Sequence, residues 1–257
     1  MHRKTFNGLS LWRFENFSNI SSIQHFVTDR CSHSNTKEFT LSLSSSPDRA
    51  MVVKNRSLLA SAMGVDDCEL YFPSQVHKTK ILNVTRHTLR EELSETDALV
   101  TIEPRICIAV MSADCVPILL YDRKNQAVGA VHSGWRGTVA RILEKSLHQM
   151  SRLFGTRGED LYAGIGPSVS TESYEVGEEV MEEVKSSFKN NNVLLTPTQN
   201  GKAKLDLWKA NSIQLEEFGV PITQIEVSNL CTVKNNQYFF SARKGDMGRF
   251  AAGIMIK

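Results

Sequence analysis

Cysteine is scarce and forms no pairing pattern. The 257 residues hold five, Cys31, Cys68, Cys107, Cys115 and Cys231, an odd number with no C-x-x-C. That excludes a disulfide framework and points to a reducing, cytoplasmic setting. No apolar run approaches the roughly 20 residues of a membrane span. The opening stretch, MHRKTFNGLSLWRFENF, has no continuous apolar segment behind its basic residues, so no signal peptide is read there. A charge excess of one sign is missing too. The net charge is +2, acids and bases are interspersed, and no long basic run occurs, which argues against nucleic acid as a partner. Internal repeats and low-complexity blocks are absent. What remains is an ordinary globular composition, long enough to bury a sizeable core.

The segment FTLSLSSSPDRAMVVKNRSLLASAMG reads as a short strand and then a helix, with Ser46 as N-cap, Pro47 at the first helical position and Gly64 at the stop. The stretch SQVHKTKILNVT alternates as a strand carrying His77 would. Arg105–Met111 and Pro117–Asp122 are short apolar strands on either side of SADCV, and DRKNQ is a polar turn into the strand AVGAVH. A hairpin therefore joins PILLYD to AVGAVH. After Gly137, Val139, Ile142, Leu143, Leu147, Met150, Leu153 and Phe154 recur at helical spacing as far as Gly155. LYAGIGPS is a further buried strand. Helices follow near Glu178–Lys189 and Leu205–Phe218, with KNNNVLLTPTQNGK between them as a surface excursion. Strands near Ile225–Val227 and Tyr238–Ser241 close the chain. This order predicts one α+β domain over residues 1–257, with mixed sheets flanked by helices.

Three of the residues at strand ends or beside strands could carry chemistry. His77, Cys115 and His132 offer two imidazoles and a thiolate, a set that suits a borderline-soft divalent metal. Three protein ligands leave one tetrahedral position open, as catalytic sites do. The same residues also read as two strand-end histidines and a buried cysteine, since no local signature ties them together. Asp114 is either a turn residue or a partner and proton carrier beside the metal. Arg136 opens a helix among Gly134 and Gly137, where amides, helix dipole and guanidinium together suit an anion.

The motifs QVHKTKI, TDALVT, SADCVPILLYD, VGAVHSGWRGT and GIGPSV resemble, in order, those of the multicopper polyphenol oxidase (laccase-domain) family, also described as a purine nucleoside phosphorylase and adenosine deaminase family. The resemblance spans roughly Asp48 to the C-terminus. It implies a zinc site of His77, Cys115 and His132, with copper the other candidate metal, and an α+β fold similar to that of deamidating toxins with a cysteine–histidine pair. It implies phosphorolysis of adenosine, inosine, guanosine or methylthioadenosine, and deamination of adenosine, with purine nucleosides and phosphate as small-molecule partners. Arg56, in VKNRSLLA, matches a family motif as a candidate substrate contact. Cys115, His132 and Asp114 are candidate catalytic residues, and Arg136 with Gly134 and Gly137 a candidate cradle for phosphate. The chain departs from the family at Cys31–Ser32 within DRCSHSN, where glycines are usual. Ser42 stands for an asparagine and Ala242 for an aromatic residue or histidine.

Three other readings compete. A copper-dependent polyphenol oxidase would use the same two histidines and cysteine. A laccase also needs a trinuclear cluster of paired histidines, and this chain has seven histidines and no H-x-H. A cysteine-type amidase, the peptidoglycan-editing role ascribed to some relatives, would use Cys115 as nucleophile and His132 as base. A non-enzymatic metal-binding protein has no positive sign in the sequence.

Overall fold

The computed structural model describes residues 1–33 and 38–257. Two six-stranded mixed sheets stack face to face. The first runs β1 (His2–Phe6), β2 (Leu9–Arg13), β3 (Ile23–Val27), β15 (Phe250–Ile256), β7 (Cys107–Ser112), β4 (Leu70–Tyr71). The second runs β14 (Ile225–Val227), β10 (Leu161–Ile165), β8 (Val116–Asp122), β9 (Ala127–Ser133), β6 (Ala98–Thr101), β5 (Ile81–Asn83). A small third sheet joins β11 (Glu175–Val176), β13 (Ala203–Leu205) and β12 (Leu195–Pro197).

Strand alternation sorts the core into layers, because successive side chains point to opposite faces. In β8, Ile118 and Leu120 pack on the helix layer, while Leu119 and Tyr121 face the first sheet. In β7, Ile108 and Val110 face the second sheet, and Cys107 and Ala109 turn outward toward a helix. Helix α1 (Glu15–Ser18) is a single turn. Helix α2 (Arg49–Met63) covers the first sheet through Leu59, Ala60 and Met63. The second sheet is covered by α3 (Trp135–Val139), α4 (Ile142–Phe154), α5 (Glu178–Ser187) and α6 (Leu207–Glu217). The architecture is α+β with mixed sheets, as the element order predicts. Among the described residues, no helix is long and apolar enough to cross a membrane.

The expected hairpin of β8 and β9 is present, and its register puts Pro117 opposite His132 and Asp122 opposite Ala127. Several local expectations give way. Helix α2 starts at Arg49 and is capped by Asp48, whose carboxylate accepts from the Met51 amide at 2.9 Å, not by Ser46. No strand forms over residues 39–45, although Phe39 and Leu41 are buried there. The helical run after Gly137 is two helices, because Arg141 sits at φ 57° and breaks it. Residues 189–202 include β12, so part of that stretch is sheet and not a plain surface excursion. Tyr238–Ser241 forms no strand but follows a run of turns and buries Phe239 and Phe240, and the closing strand is β15. Residues 34–37, which include the end of DRCSHSN, lie outside the described residues.

Candidate metal centre

The site lies where the chain crosses from one sheet to the other. Strand β7 ends at Ser112 and β8 begins at Val116 in the opposite sheet. The crossing needs a sharp reversal, and Asp114 supplies it at φ 83°. Ser112 Oγ donates to the Cys115 carbonyl at 2.5 Å and holds the turn. Cys115 is therefore presented at the end of the second sheet, beside His132 near the end of β9. His77 arrives from an exposed loop. It sits at φ 61° and ahead of β5, so the expected strand through His77 is absent. The alternating pattern there belongs to a loop wound around a carboxylate.

That carboxylate is Asp97, and it was missed as a functional residue. Its oxygens accept from the amides of Val76 (3.2 Å), His77 (2.9 Å) and Lys78 (2.9 Å). Its Oδ1 also meets His132 Nδ1 at 2.9 Å, and its carbonyl accepts the His132 amide at 2.8 Å. One fully buried acid thus orients one histidine by its ring and the other by its backbone. Burial works against the charged carboxylate, but His132 and the loop amides outweigh it and hold its pKa below the ordinary value. Its sequence signal is its place in the motif TDALVT. Gln75 fastens the same loop to β7. Its amide donates to the Met111 carbonyl and accepts from the Met111 amide, both at 2.8 Å.

The donor atoms of His77, Cys115 and His132 lie within 4.8 Å of one another. The two imidazole rings meet edge to face with centroids 4.9 Å apart. Burial alone would push the Cys115 thiol up. The charge of His132 and hydrogen bonds from His132 and His77 pull it down to about 6. For His132, burial opposes protonation, but the Cys115 thiolate and Asp97 raise its pKa to about 9. Both shifts run toward a thiolate facing an imidazolium, a pair that can give up its shared proton to a bound cation. The donor set fits a divalent zinc-like or copper-like ion. Among the described residues, no second group of three such donors accompanies it.

Gly134 is extended (φ −69°, ψ 175°), a conformation any residue adopts. Space is what requires glycine there. A Cβ would lie 2.8 Å from Cys115 Sγ and 3.2 Å from His77 Cδ2. Gly137 answers to packing, since its Cβ would press on Ile142 Cγ2 at 3.2 Å, where α3 meets α4. Gly134→Ala is expected to lower metal affinity about tenfold or more, because ligand positions tolerate only about 0.5 Å of displacement. The melting temperature of the metal-free protein should stay close to wild type. Unaltered metal affinity would show that the ligands can close elsewhere.

A cavity of about 380 Å³ opens over the three donors. Ser42, Ala242, Gln75, Met111 and Arg249 line it, so two of the departures from the family pattern sit on its wall. Asp114 lines it too, but both carboxylate oxygens are engaged away from the donors. One accepts from Thr232 Oγ1 at 2.6 Å and the other from the Arg243 amide at 2.8 Å. The carboxylate that meets a donor imidazole is Asp97. Arg136 is exposed and stacks on Trp135 at 4.2 Å. Tyr174 lies close enough to feel Cys115, Arg243, Arg136 and Asp114. Its pKa is pushed up to about 12, first by burial and then by the Cys115 charge. Arg243 covers the Tyr174 ring at 4.7 Å. Neither Tyr174 nor Arg243 was singled out in the sequence. Arg56 is elsewhere, bound to the Leu41 carbonyl and stacked on Phe72.

The family model described as multi-copper polyphenol oxidoreductase laccase matches residues 24–257. The chain belongs to this family. Within the laccase-like family, it is 41% identical over 256 residues to a purine nucleoside phosphorylase of Bacteroides thetaiotaomicron, with 95% of each chain covered. It is 36% identical to adenosine deaminase RL5 of an unknown prokaryotic organism, over 82% of this chain and 84% of that one. YlmD from Geobacillus stearothermophilus shares the fold at a TM-score of 0.89 with 27% identity, covering 99% of this chain and 98% of that one.

Proposed function

We propose that this chain is a zinc-dependent purine nucleoside enzyme that phosphorolyses adenosine, inosine, guanosine or methylthioadenosine and deaminates adenosine. The observation that carries this reading is the convergence of His77, Cys115 and His132 under a cavity of about 380 Å³, within the range of small-molecule sites. The names of the relatives at 41% and 36% identity support it. The zinc would be held by those three side chains and would supply Lewis-acid polarisation at the position they leave open.

The protein's own residues do the rest. Asp97 fixes the His132 tautomer, since its acceptor oxygen keeps the proton on Nδ1 and leaves Nε2 free to ligate. Asp114 sets the cavity floor by anchoring the 232 and 243 loops. Arg136 and Arg243, whose charges both reach Tyr174, would supply the positive groups for phosphate, with Gly134 and Gly137 shaping the turn beside Arg136. In phosphorolysis the bond from C1′ to the purine nitrogen breaks, and a phosphate oxygen bonds to C1′. In deamination water replaces the amino group and ammonia leaves. Ser42 and Ala242, two of the departures from the family motifs, line the cavity, and nucleoside preference would be set there. The five unpaired cysteines, two of them exposed, suit a reducing cytoplasm.

The test is metal analysis of protein purified without added metal, then product analysis with adenosine, with and without phosphate. Free base formed only with phosphate supports phosphorolysis, and inosine formed without phosphate supports deamination. Arg136→Ala should reduce phosphorolysis more than metal content. Neither product would refute the assignment. One observation favours a second reading: Cys115, His132 and Asp97 stand in line as nucleophile, base and orienting acid. That arrangement suits a cysteine amidase, whose activity would survive chelation, whereas the nucleoside activity would not.

A chemical handle follows from the thiolate. In chelated protein, Cys115 alkylation by iodoacetamide should rise through a midpoint near pH 6, where a free thiol titrates at about 8.5. Reloading zinc should suppress it. An ordinary midpoint would mean that the imidazolium does not face the sulfur.

A further inference from the structure

A second cavity, of about 460 Å³, lies against α2 and shares no lining residue with the metal cavity. Its walls are apolar, from Leu43, Val53, Phe72 and Leu93, yet two guanidiniums enter it, those of Arg56 and Arg90. Each rests on an aromatic face, Arg56 on Phe72 at 4.5 Å and Arg90 on Tyr71 at 4.4 Å. Each is fixed by backbone carbonyls. Arg56 donates through Nε and Nη2 to Leu41, and Arg90 through Nη1 and Nη2 to Leu70, Asp67 and Cys68. Among the described residues neither has a carboxylate at ion-pair distance, and Arg56 Nη1 and Arg90 Nε have no protein acceptor. Asp67 also lines the cavity, but its carboxylate accepts from Ser57 Oγ at 2.5 Å.

Two positive groups that line one cavity without an ion-paired acid repel each other. Burial first, and then the charge of Arg90, lower the Arg56 pKa to about 10. An anion between them would relieve that repulsion, and planar guanidiniums with free N–H groups match phosphate oxygens. The apolar walls need a second, uncharged part of the ligand. We propose that this cavity binds a phosphate monoester carrying an uncharged aromatic ring, of the nucleoside monophosphate class, with Arg56 and Arg90 on the phosphate and Leu43, Val53, Phe72 and Leu93 around the faces of the ring. The two cavities are neighbours, since Arg56 Nη2 reaches Met111 Sδ at 3.8 Å and Met111 lines the other cavity.

Cys68 gives a local readout, because its exposed thiol lines this cavity. The zinc-loaded protein is treated with iodoacetamide, and the Cys68 peptide is quantified by mass spectrometry. AMP should slow Cys68 labelling at least fivefold, and adenosine should leave it unchanged. Inorganic phosphate should need at least a tenfold higher concentration for the same protection. Arg90→Gln should abolish the AMP effect. So should Val53→Glu, a change at an exposed helix position that puts a carboxylate in the wall around the ring, within the same cavity as the two guanidiniums. Both variants should keep wild-type zinc content. Unchanged labelling in AMP overturns the proposal. So does protection by adenosine, equal protection by inorganic phosphate, or protection that survives both substitutions.

Discussion

Cys115→Ala is expected to bring metal content and nucleoside turnover down together, turnover by on the order of 10³-fold, the scale of several kcal/mol of Lewis-acid stabilisation. The fold should stand. Cys115 is half-buried at the end of a strand, and the hydrogen bond that holds the turn uses its backbone carbonyl, which alanine keeps. The substitution should alter metal-free stability by about 1 kcal/mol or less, while the stabilisation given by bound metal disappears. Zinc content, turnover and a melting curve on one preparation check this. A folded variant with full zinc and no turnover would move Cys115 from ligand to nucleophile, and would favour the amidase reading.

The second large effect is expected at Asp97. Asp97→Ala removes the acceptor shared by His132 Nδ1 and the amides of residues 76–78. His132 loses its fixed tautomer and the His77 loop loses its anchor. Zinc affinity should fall by about 10–100-fold, the range measured for partners of metal-ligating histidines. The metal-free protein should lose about 2–3 kcal/mol, because buried donors are left without acceptors. Asp97→Asn should fall between variant and wild type, since one oxygen still accepts while the amide nitrogen faces N–H donors. Competition against a zinc chelator and urea unfolding of the stripped protein measure the two effects separately. Wild-type zinc affinity in Asp97→Ala would mean that the histidines are held by packing alone.

The hairpin of β8 and β9 was legible in the sequence because a polar turn separates two apolar runs of matched length. The grouping of His77, Cys115 and His132 was legible from donor chemistry, and the structure brings the three together; the motif order added the family. The loop bearing His77 was not. Its alternation mimics a strand, and only the carboxylate of Asp97, twenty residues later, shows that its amides turn inward. The break at Arg141 was hidden because the apolar positions keep helical spacing on both sides of it. Strand β15 was passed over because it is rich in small residues. Gly253 lies under Phe26, where a Cβ would come within 2.5 Å of the ring, so packing keeps the residue small and its strand signal weak. The aromatic stretch before it drew attention instead, although Phe239 and Phe240 fill the core from outside any strand.

The placement of β15 bears on how the polypeptide acquires its shape during synthesis. Residues 250–256 emerge long after residues 23–27 and 107–112, yet they lie between them and bond to both. Until they arrive, β3 and β7 each present an unpaired edge, a template for pairing with other chains. The hairpin of β8 and β9 closes locally and early, while the first sheet waits for a contact spanning most of the chain. A nascent chain stalled before residue 250 would therefore hold the finished hairpin, with Cys115 and His132 already adjacent, beside a split and adhesive half. Chaperone dependence should be greatest in that interval.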